Sequence, residues 1–218
     1  MSITSASQSI QSTAARETIL ELVDLGMSFR THSVLRGINL TIPRGQTVCV
    51  IGESGCGKTV LLKLMIGLLK PTTGLVRLDG RDLSTLTSKE LTRTRLRFGF
   101  LFQMAALFDS MTIYDNVAFG LREHRLADEA AIRKVVGEGL QEVGLPPEVC
   151  FKKPAELSGG QRKRVGLARA LAIHPEIMLY DEPTTGLDPI MSDVINQLIL
   201  QTQHTKHTTG IVVTHDMK

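Results

Sequence analysis

The octapeptide GESGCGKT, Gly52–Thr59, carries the strongest structural signal in the chain. It satisfies the pattern G-x-x-x-x-G-K-[ST] in full, in the context that gives the pattern meaning. Before it lies the β-branched run TVCVI (47–51), which reads as a buried strand; after it, Thr59 to Leu69 reads as a helix. Glycines let a polyphosphate approach the backbone, and the N–H groups from Gly55 to Thr59 wrap it. Lys58 sets an ammonium between the β- and γ-phosphates, and the Thr59 hydroxyl suits Mg²⁺. Gly52, Glu53, Ser54, Gly55, Cys56, Gly57, Lys58, Thr59 and Val60 therefore form the expected ATP cradle. Because Cys56 lies inside it, thiol alkylation is expected to block nucleotide binding, and bound ATP to protect.

Outward from this loop, strands alternate with helices. ILELVDL (19–25), LVRLDG (75–80), IMLYDE (177–182) and GIVVTHD (210–216) read as strands, and KPTTG (70–74) as a turn. From about Thr112 to Ser158 the patterns are helical. In DEAAIRKVVGEGLQEVGL (128–145), Ile132, Val135, Val136, Leu140 and Val143 share one helical face. DPIMSDVINQLILQ (188–201) opens a helix with Asp188 as N-cap and Pro189 in the first turn. The expectation is an α/β, doubly wound nucleotide-binding core interrupted by a helical insertion.

Two acids end the apolar strand IMLYDE. Asp181 is placed to hold Mg²⁺ through water, and Glu182 to orient or deprotonate an attacking water. A second glycine-rich stretch, LSGGQRKRVGLARAL (157–171), shortly precedes them. Ser158 is a natural helix cap, and Gly159 and Gly160 open the helix N-terminus to an anion.

With LSGGQ ahead of the acidic strand, the chain resembles the nucleotide-binding subunits of ABC transporters. Gln103 in LFQ, GLD (186–188), His215 and the aromatic Phe29 match that family in order, and the resemblance covers about residues 19–218. It implies a P-loop NTPase fold of the ABC type: a RecA-like core, N-terminal antiparallel β strands and a helical subdomain over about 104–160. It implies a role for Gln103 at Mg²⁺ and the membrane subunit, for His215 at the γ-phosphate, and for Phe29 stacked on adenine. The catalytic set it implies is Lys58, Gln103, Glu182 and His215; the metal set is Thr59, Gln103 and Asp181. It further implies a head-to-tail homodimer in which Ser158, Gly159, Gly160 and Gln161 of one subunit cover ATP held by the other.

The segment MAALFDSMTIYDNVAFGLREH (104–124) narrows the resemblance to ATPases of Mla- and Mce-type lipid transport systems. Met104, Leu107, Phe108, Met111 and Phe119 form a soft apolar set suited to gripping a partner, and the resemblance implies that this partner is an integral membrane permease. That resemblance implies a peripheral protein on the cytoplasmic face of the inner membrane, energising phospholipid movement with a membrane-anchored lipid-binding partner. Other transport ATPases, such as those of amino-acid importers or lipoprotein-release systems, and a soluble non-transport ABC ATPase stay open at this point.

Composition sets outer bounds. The 218 residues carry a formal net charge of +3, too weak to argue for nucleic acid as the partner. The three cysteines, Cys49, Cys56 and Cys150, form no C-x-x-C pair and suggest neither zinc nor a disulfide framework. No apolar run is long enough to span a bilayer. Residues 1–18, rich in Ser, Thr and Gln, read as a disordered tail. The chain stops three residues past His215, where the resembled family continues, so a truncation with weak activity or poor solubility is expected.

Overall fold

A computed structural model describes residues 2–4 and 17–215. Two sheets organise them. The first has the order β1–β4–β9–β8–β7: β1 (Ser2–Thr4), β4 (Thr47–Ile51), β9 (Thr209–Thr214), β8 (Ile177–Asp181) and β7 (Phe98–Leu101). β4, β9, β8 and β7 run parallel, while β1 pairs antiparallel with β4. The second sheet, ordered β3–β2–β5–β6, is wholly antiparallel: β2 (Thr18–Phe29), β3 (His32–Pro43), β5 (Thr73–Leu78) and β6 (Arg81–Asp82).

Part of the expected tail over 1–18 is described. Ser2–Thr4 form a strand on β4, and Thr18 already opens β2. An unpaired sheet edge offers a row of N–H and C=O groups, and a short extended segment satisfies them. The rest of that tail, apart from Glu17, lies outside the described residues. The strand expected over 19–25 extends to 12 residues and pairs with a second strand of 12, β3, that the apolar pattern did not reveal.

The parallel sheet is a wall between two cores. On β8, Ile177 and Leu179 enter one apolar cluster, while Met178 and Tyr180 enter the other. Such alternation is what the two-residue period of a strand dictates. The first cluster joins the antiparallel sheet (Ile19, Leu20, Leu22, Val76) to α1 (Lys58–Met65). The second joins the sheet to α3 (Ile113–Glu123), α4 (Glu129–Glu142), α5 (Gly159–Leu171) and α6 (Pro189–Lys206). α2 (Ser88–Arg95) is a polar helix with no buried residue, held by a Thr87–Glu90 capping box. Between Leu101 and Ile177 the described elements are all helical.

Where the antiparallel sheet bends, Gly74 is obligatory. A Cβ there would lie 2.2 Å from the Asp24 carbonyl oxygen, and φ is +70°. At the far end of the core, Arg44, Asp79, Arg97 and Glu176 close a ring of ion pairs that ties the two sheets together. Glu176 meets Arg44 at 2.8 Å and Arg97 at 2.7 Å, and Asp79 meets Arg44 at 2.8 Å.

Candidate functional site

The C-terminal ends of the parallel strands form the site. Gly52 N–H donates to the Thr214 carbonyl at 3.2 Å, and Glu182 N–H donates to the Val213 carbonyl at 2.9 Å. These two bonds draw the glycine loop, the end of β8 and the end of β9 to one point. Strand parity then aims the side chains. Asp181 shares its face with Ile177 and Leu179, the face that α1 covers.

On that face the Thr59 hydroxyl lies 3.0 and 2.9 Å from the two carboxylate oxygens of Asp181. Lys58 is 4% exposed; its Nζ donates to the carbonyls of Gly52 at 2.7 Å and Glu53 at 2.8 Å. The same Nζ stands 3.2 Å from Glu182 Oε1. Glu182 Oε2 accepts from Thr185 Oγ1 at 2.8 Å and meets His215 Nδ1 at 2.8 Å. Burial pushes the Asp181 carboxyl above its ordinary range, against the pull of the Thr59 hydroxyl. Burial also acts upward on Glu182, but the Thr185 hydroxyl, Lys58 and His215 outweigh it and hold that carboxyl low. The two neighbouring acids thus differ: Asp181 is protonated more readily, and Glu182 is held as carboxylate.

The loop itself fits an anion. Gly55 and Gly57 have φ of +81° and +99°, which side chains resist. A Cβ on Gly57 would meet Val34 Cγ1 at 2.7 Å. α1 starts at Lys58 with no side-chain cap, so its first amides face outward under the positive end of the helix dipole. Cys56 is half-buried between these glycines. Val34 also brings the β2–β3 hairpin beside the loop; Phe29 sits at its tip, 46% exposed and paired with His32.

Gln103 lies two residues beyond β7, at the same end of the sheet. Its exposed side chain makes no hydrogen bond to Thr59 or Asp181 among the described residues. Ser158 caps α5 through a capping box: its hydroxyl accepts from Gln161 N–H at 3.2 Å, and Gln161 Oε1 accepts from Ser158 N–H at 3.0 Å. Gly160 packs under Met191, with only 2.8 Å left for a Cβ, and Gly159 lies near Leu187. Ser158–Gln161 make no hydrogen bond or ion pair with Gly52–Thr59 of the same chain among the described residues. The structure therefore brings together Lys58, Thr59, Asp181, Glu182 and His215, and leaves the LSGGQ stretch on a separate, outward face.

Three participants escaped sequence reasoning. Asn116, fully buried on α3, accepts from Phe108 N–H at 2.7 Å and donates to the carbonyls of Phe108 at 3.1 Å and Thr112 at 2.9 Å. Arg169 on α5 donates to the carbonyls of Ala106 at 2.6 Å and Ala105 at 2.7 Å. Both alanines are left-handed, φ +48° and +60°, a conformation that costs roughly 1–2 kcal/mol per residue. These clamps fix the segment just after Gln103, where Met104 is 83% exposed and Phe108 packs on Phe119. An open groove of about 620 Å³ beside it is lined by Met111, Asp115, Phe119, Arg122, Glu123 and Arg125. The third participant, Lys163, lies buried on α5; a lysine on the apolar stripe of a helix was the available signal.

Residues 35–185 match the family model described as ABC transporter. A "Probable ribonucleotide transport ATP-binding protein mkl" of Mycobacterium leprae is 46% identical over 198 residues, covering 91% of this chain and 57% of the relative. The "Intermembrane phospholipid transport system ATP-binding protein MlaF" of Haemophilus influenzae is 40% identical over 202 residues, covering 93% and 76%. Among solved structures, the dimeric post-hydrolysis state of the ATP-binding cassette MJ0796 with ADP and Pi superposes with a TM-score of 0.84 at 34% identity, covering 91% of this chain and 89% of that one. The chain spans little more than half the length of the mycobacterial relative it matches.

Proposed function

Since this chain belongs to the ABC transporter family, we propose that it is the ATP-binding and ATP-hydrolysing subunit of a transporter moving phospholipid or another hydrophobic molecule. The observation that carries the ATPase reading is the meeting of Lys58, Thr59, Asp181, Glu182 and His215 at one end of the parallel sheet.

In this reading the amides of Gly55–Thr59 and the Lys58 ammonium bind the β- and γ-phosphates. Phe29 offers an exposed ring for the base. Thr59 and Asp181 are paired hard oxygen donors, and with Gln103 they would hold Mg²⁺, which favours few protein ligands completed by phosphate and water. Bound there, Mg²⁺ supplies neutralisation of the phosphate charge. Glu182 is kept as carboxylate and accepts the proton of the attacking water. His215, 2.8 Å from that carboxylate, is placed to orient it and to meet the γ-phosphate.

The second half of the site comes from a second copy of the chain, arranged head to tail. The capping box occupies the amides of Ser158 and Gln161 and leaves those of Gly159 and Gly160 to face a phosphate on the partner. Dimer closure then transmits work through differential affinity of the closed state for ATP. The groove, in which Met111 and Phe119 lie among four charged side chains, and Met104, on the segment after Gln103, form the docking surface for the permease. Its seat on that permease makes the chain a peripheral protein of the cytoplasmic membrane face. A membrane-anchored lipid-binding subunit completes the system.

Similarity to MlaF supports phospholipid as cargo; the name of the mycobacterial relative favours a ribonucleotide instead. Purifying the full complex and analysing extracted lipids against nucleotides separates the two. Stoichiometric phospholipid supports the first reading, and bound nucleotide beyond ATP and ADP overturns it. Co-purification with ribosomes or DNA in place of a permease would overturn both.

A further inference from the structure

Lys163 is the only lysine on the buried face of α5. It is 4% exposed, and its Nζ donates to the Glu182 carbonyl at 3.1 Å across 19 residues of sequence. A buried ammonium is costly unless it is used. Its location suggests the use. Glu182 has φ of +46°, a left-handed conformation that a non-glycine residue holds only under constraint. Lys58, Thr185 and His215 hold its carboxylate, and three hydrogen bonds hold its backbone. Val213 accepts from its N–H, while its carbonyl accepts from Thr185 N–H at 3.2 Å and from Lys163. Of these, Lys163 alone reaches in from the helical half of the molecule.

We propose that Lys163 is a positioning residue for Glu182: from α5 it fixes the Glu182 carbonyl, and so ties the Ser158 end of that helix to the acid of the same chain. In a head-to-tail dimer the Ser158 end of α5 faces the nucleotide of the partner, while Glu182 serves the nucleotide of its own chain. Lys163 is then a direct physical link between the two composite sites. A displacement of α5 when its N-terminus engages one ATP changes the aim of the carboxylate at the other. The inference rests on the reading of Glu182 as the water-activating group, and the geometry of Lys163 stands apart from that reading.

The electrostatic setting is consistent with this. Burial depresses the Lys163 ammonium to about 8, while Asp181 and Glu182 pull it back upward. Its positive charge is therefore retained at neutral pH in company with both acids.

The test compares Lys163→Met, Lys163→Arg and Glu182→Gln in the full chain. Three measurements are made on each: steady-state ATPase, binding of a fluorescent ATP analogue, and amide exchange of the peptide spanning 182–187. Lys163→Met is expected to bind the analogue within about threefold of the parent, to lose at least tenfold in kcat with KM within threefold, and to exchange at least tenfold faster over 182–187. Lys163→Arg, which keeps a cationic donor, is expected to recover most of kcat and of the protection. Unchanged exchange in Lys163→Met overturns the link, whatever the ATPase shows. Faster exchange with full kcat overturns the positioning role, as does a folded Lys163→Arg no better than Lys163→Met. Full turnover in Glu182→Gln overturns the role of Glu182 itself, and the exchange result still decides whether Lys163 holds that backbone.

Discussion

Replacing Glu182 with Gln should do two opposite things: tighten ATP binding and stop turnover. Lys58 is shared between two loop carbonyls and Glu182 Oε1, 3.2 Å away, with only 4% and 11% of the two side chains exposed. At an effective dielectric near 20, that pair is worth about 5 kcal/mol of Coulomb attraction before desolvation is counted. An incoming γ-phosphate must compete for the same ammonium and also faces repulsion from the carboxylate. Gln removes the charge but keeps an oxygen for Lys58 and a partner for Thr185 Oγ1, so the fold is retained. Most of the Coulomb energy is returned by reorganised hydrogen bonds. A net gain of about 1.4 kcal/mol, or tenfold in Kd for ATP, is expected. Turnover should fall by about 10²–10⁴, the usual worth of a general base. Equilibrium binding of a fluorescent ATP analogue and phosphate release measure the two effects. Because the pair is buried, the affinity gain should survive in 0.5 M salt, roughly. Weaker ATP binding in the variant, or turnover near the parent value, would refute the reasoning.

Other consequences follow from the same geometry. Ser158→Arg places a long cation on an exposed helix N-terminus without touching Gly52–Thr59, so monomeric ATP binding should persist while ATP-induced dimerisation disappears in light scattering; an unchanged dimer sinks the head-to-tail reading. Asn116→Leu leaves the Phe108 N–H without its acceptor, while the carbonyls of Phe108 and Thr112 keep the backbone N–H groups of Met111 and of position 116; this should cost about 1–3 kcal/mol in denaturant melts and loosen permease binding before it slows ATP hydrolysis. Glu176→Gln opens the ion-pair ring between the sheets. The Arg97 hydrogen bond in the main holds the Glu176 carboxyl below its ordinary value, against burial. Its stabilisation is therefore full above the unfolded carboxylate range near 4.5 and is lost as pH falls through the lower folded value. Parent and variant should differ by about 1 kcal/mol at neutral pH, given partial exposure, and converge in strong acid or high salt.

Much of this site is legible in the sequence because phosphate chemistry demands local patterns. Gly52–Thr59, Asp181–Glu182 and Ser158–Gln161 are each contiguous, and each is flanked by an element whose apolar period is plain. The parity of IMLYD also fixes which face Asp181 occupies. What stays hidden depends on contacts between distant positions. The Lys58–Glu182 pair spans 124 residues and exists only because β8 and the glycine loop end at one sheet edge. β3 went unassigned because its 12 residues include Arg36, Gly37 and Asn39, which interrupt the apolar alternation. Lys163 was passed over because a lysine in a helix usually extends its amine to water, and only the packed structure shows that this one is enclosed.

β8 has a further consequence. Its five residues are all buried, and alternate side chains belong to different apolar clusters. Neither half of the molecule can melt while the other stays packed, because each would strip one side of the same short ribbon. Heating should therefore give a single calorimetric transition, with equal calorimetric and van't Hoff enthalpies, despite two interiors. A volume change at Tyr180 should weaken nucleotide binding although that ring never faces the nucleotide. In this sense the strand is a shared partition, and fluctuation on one side is felt at once as altered spacing on the other.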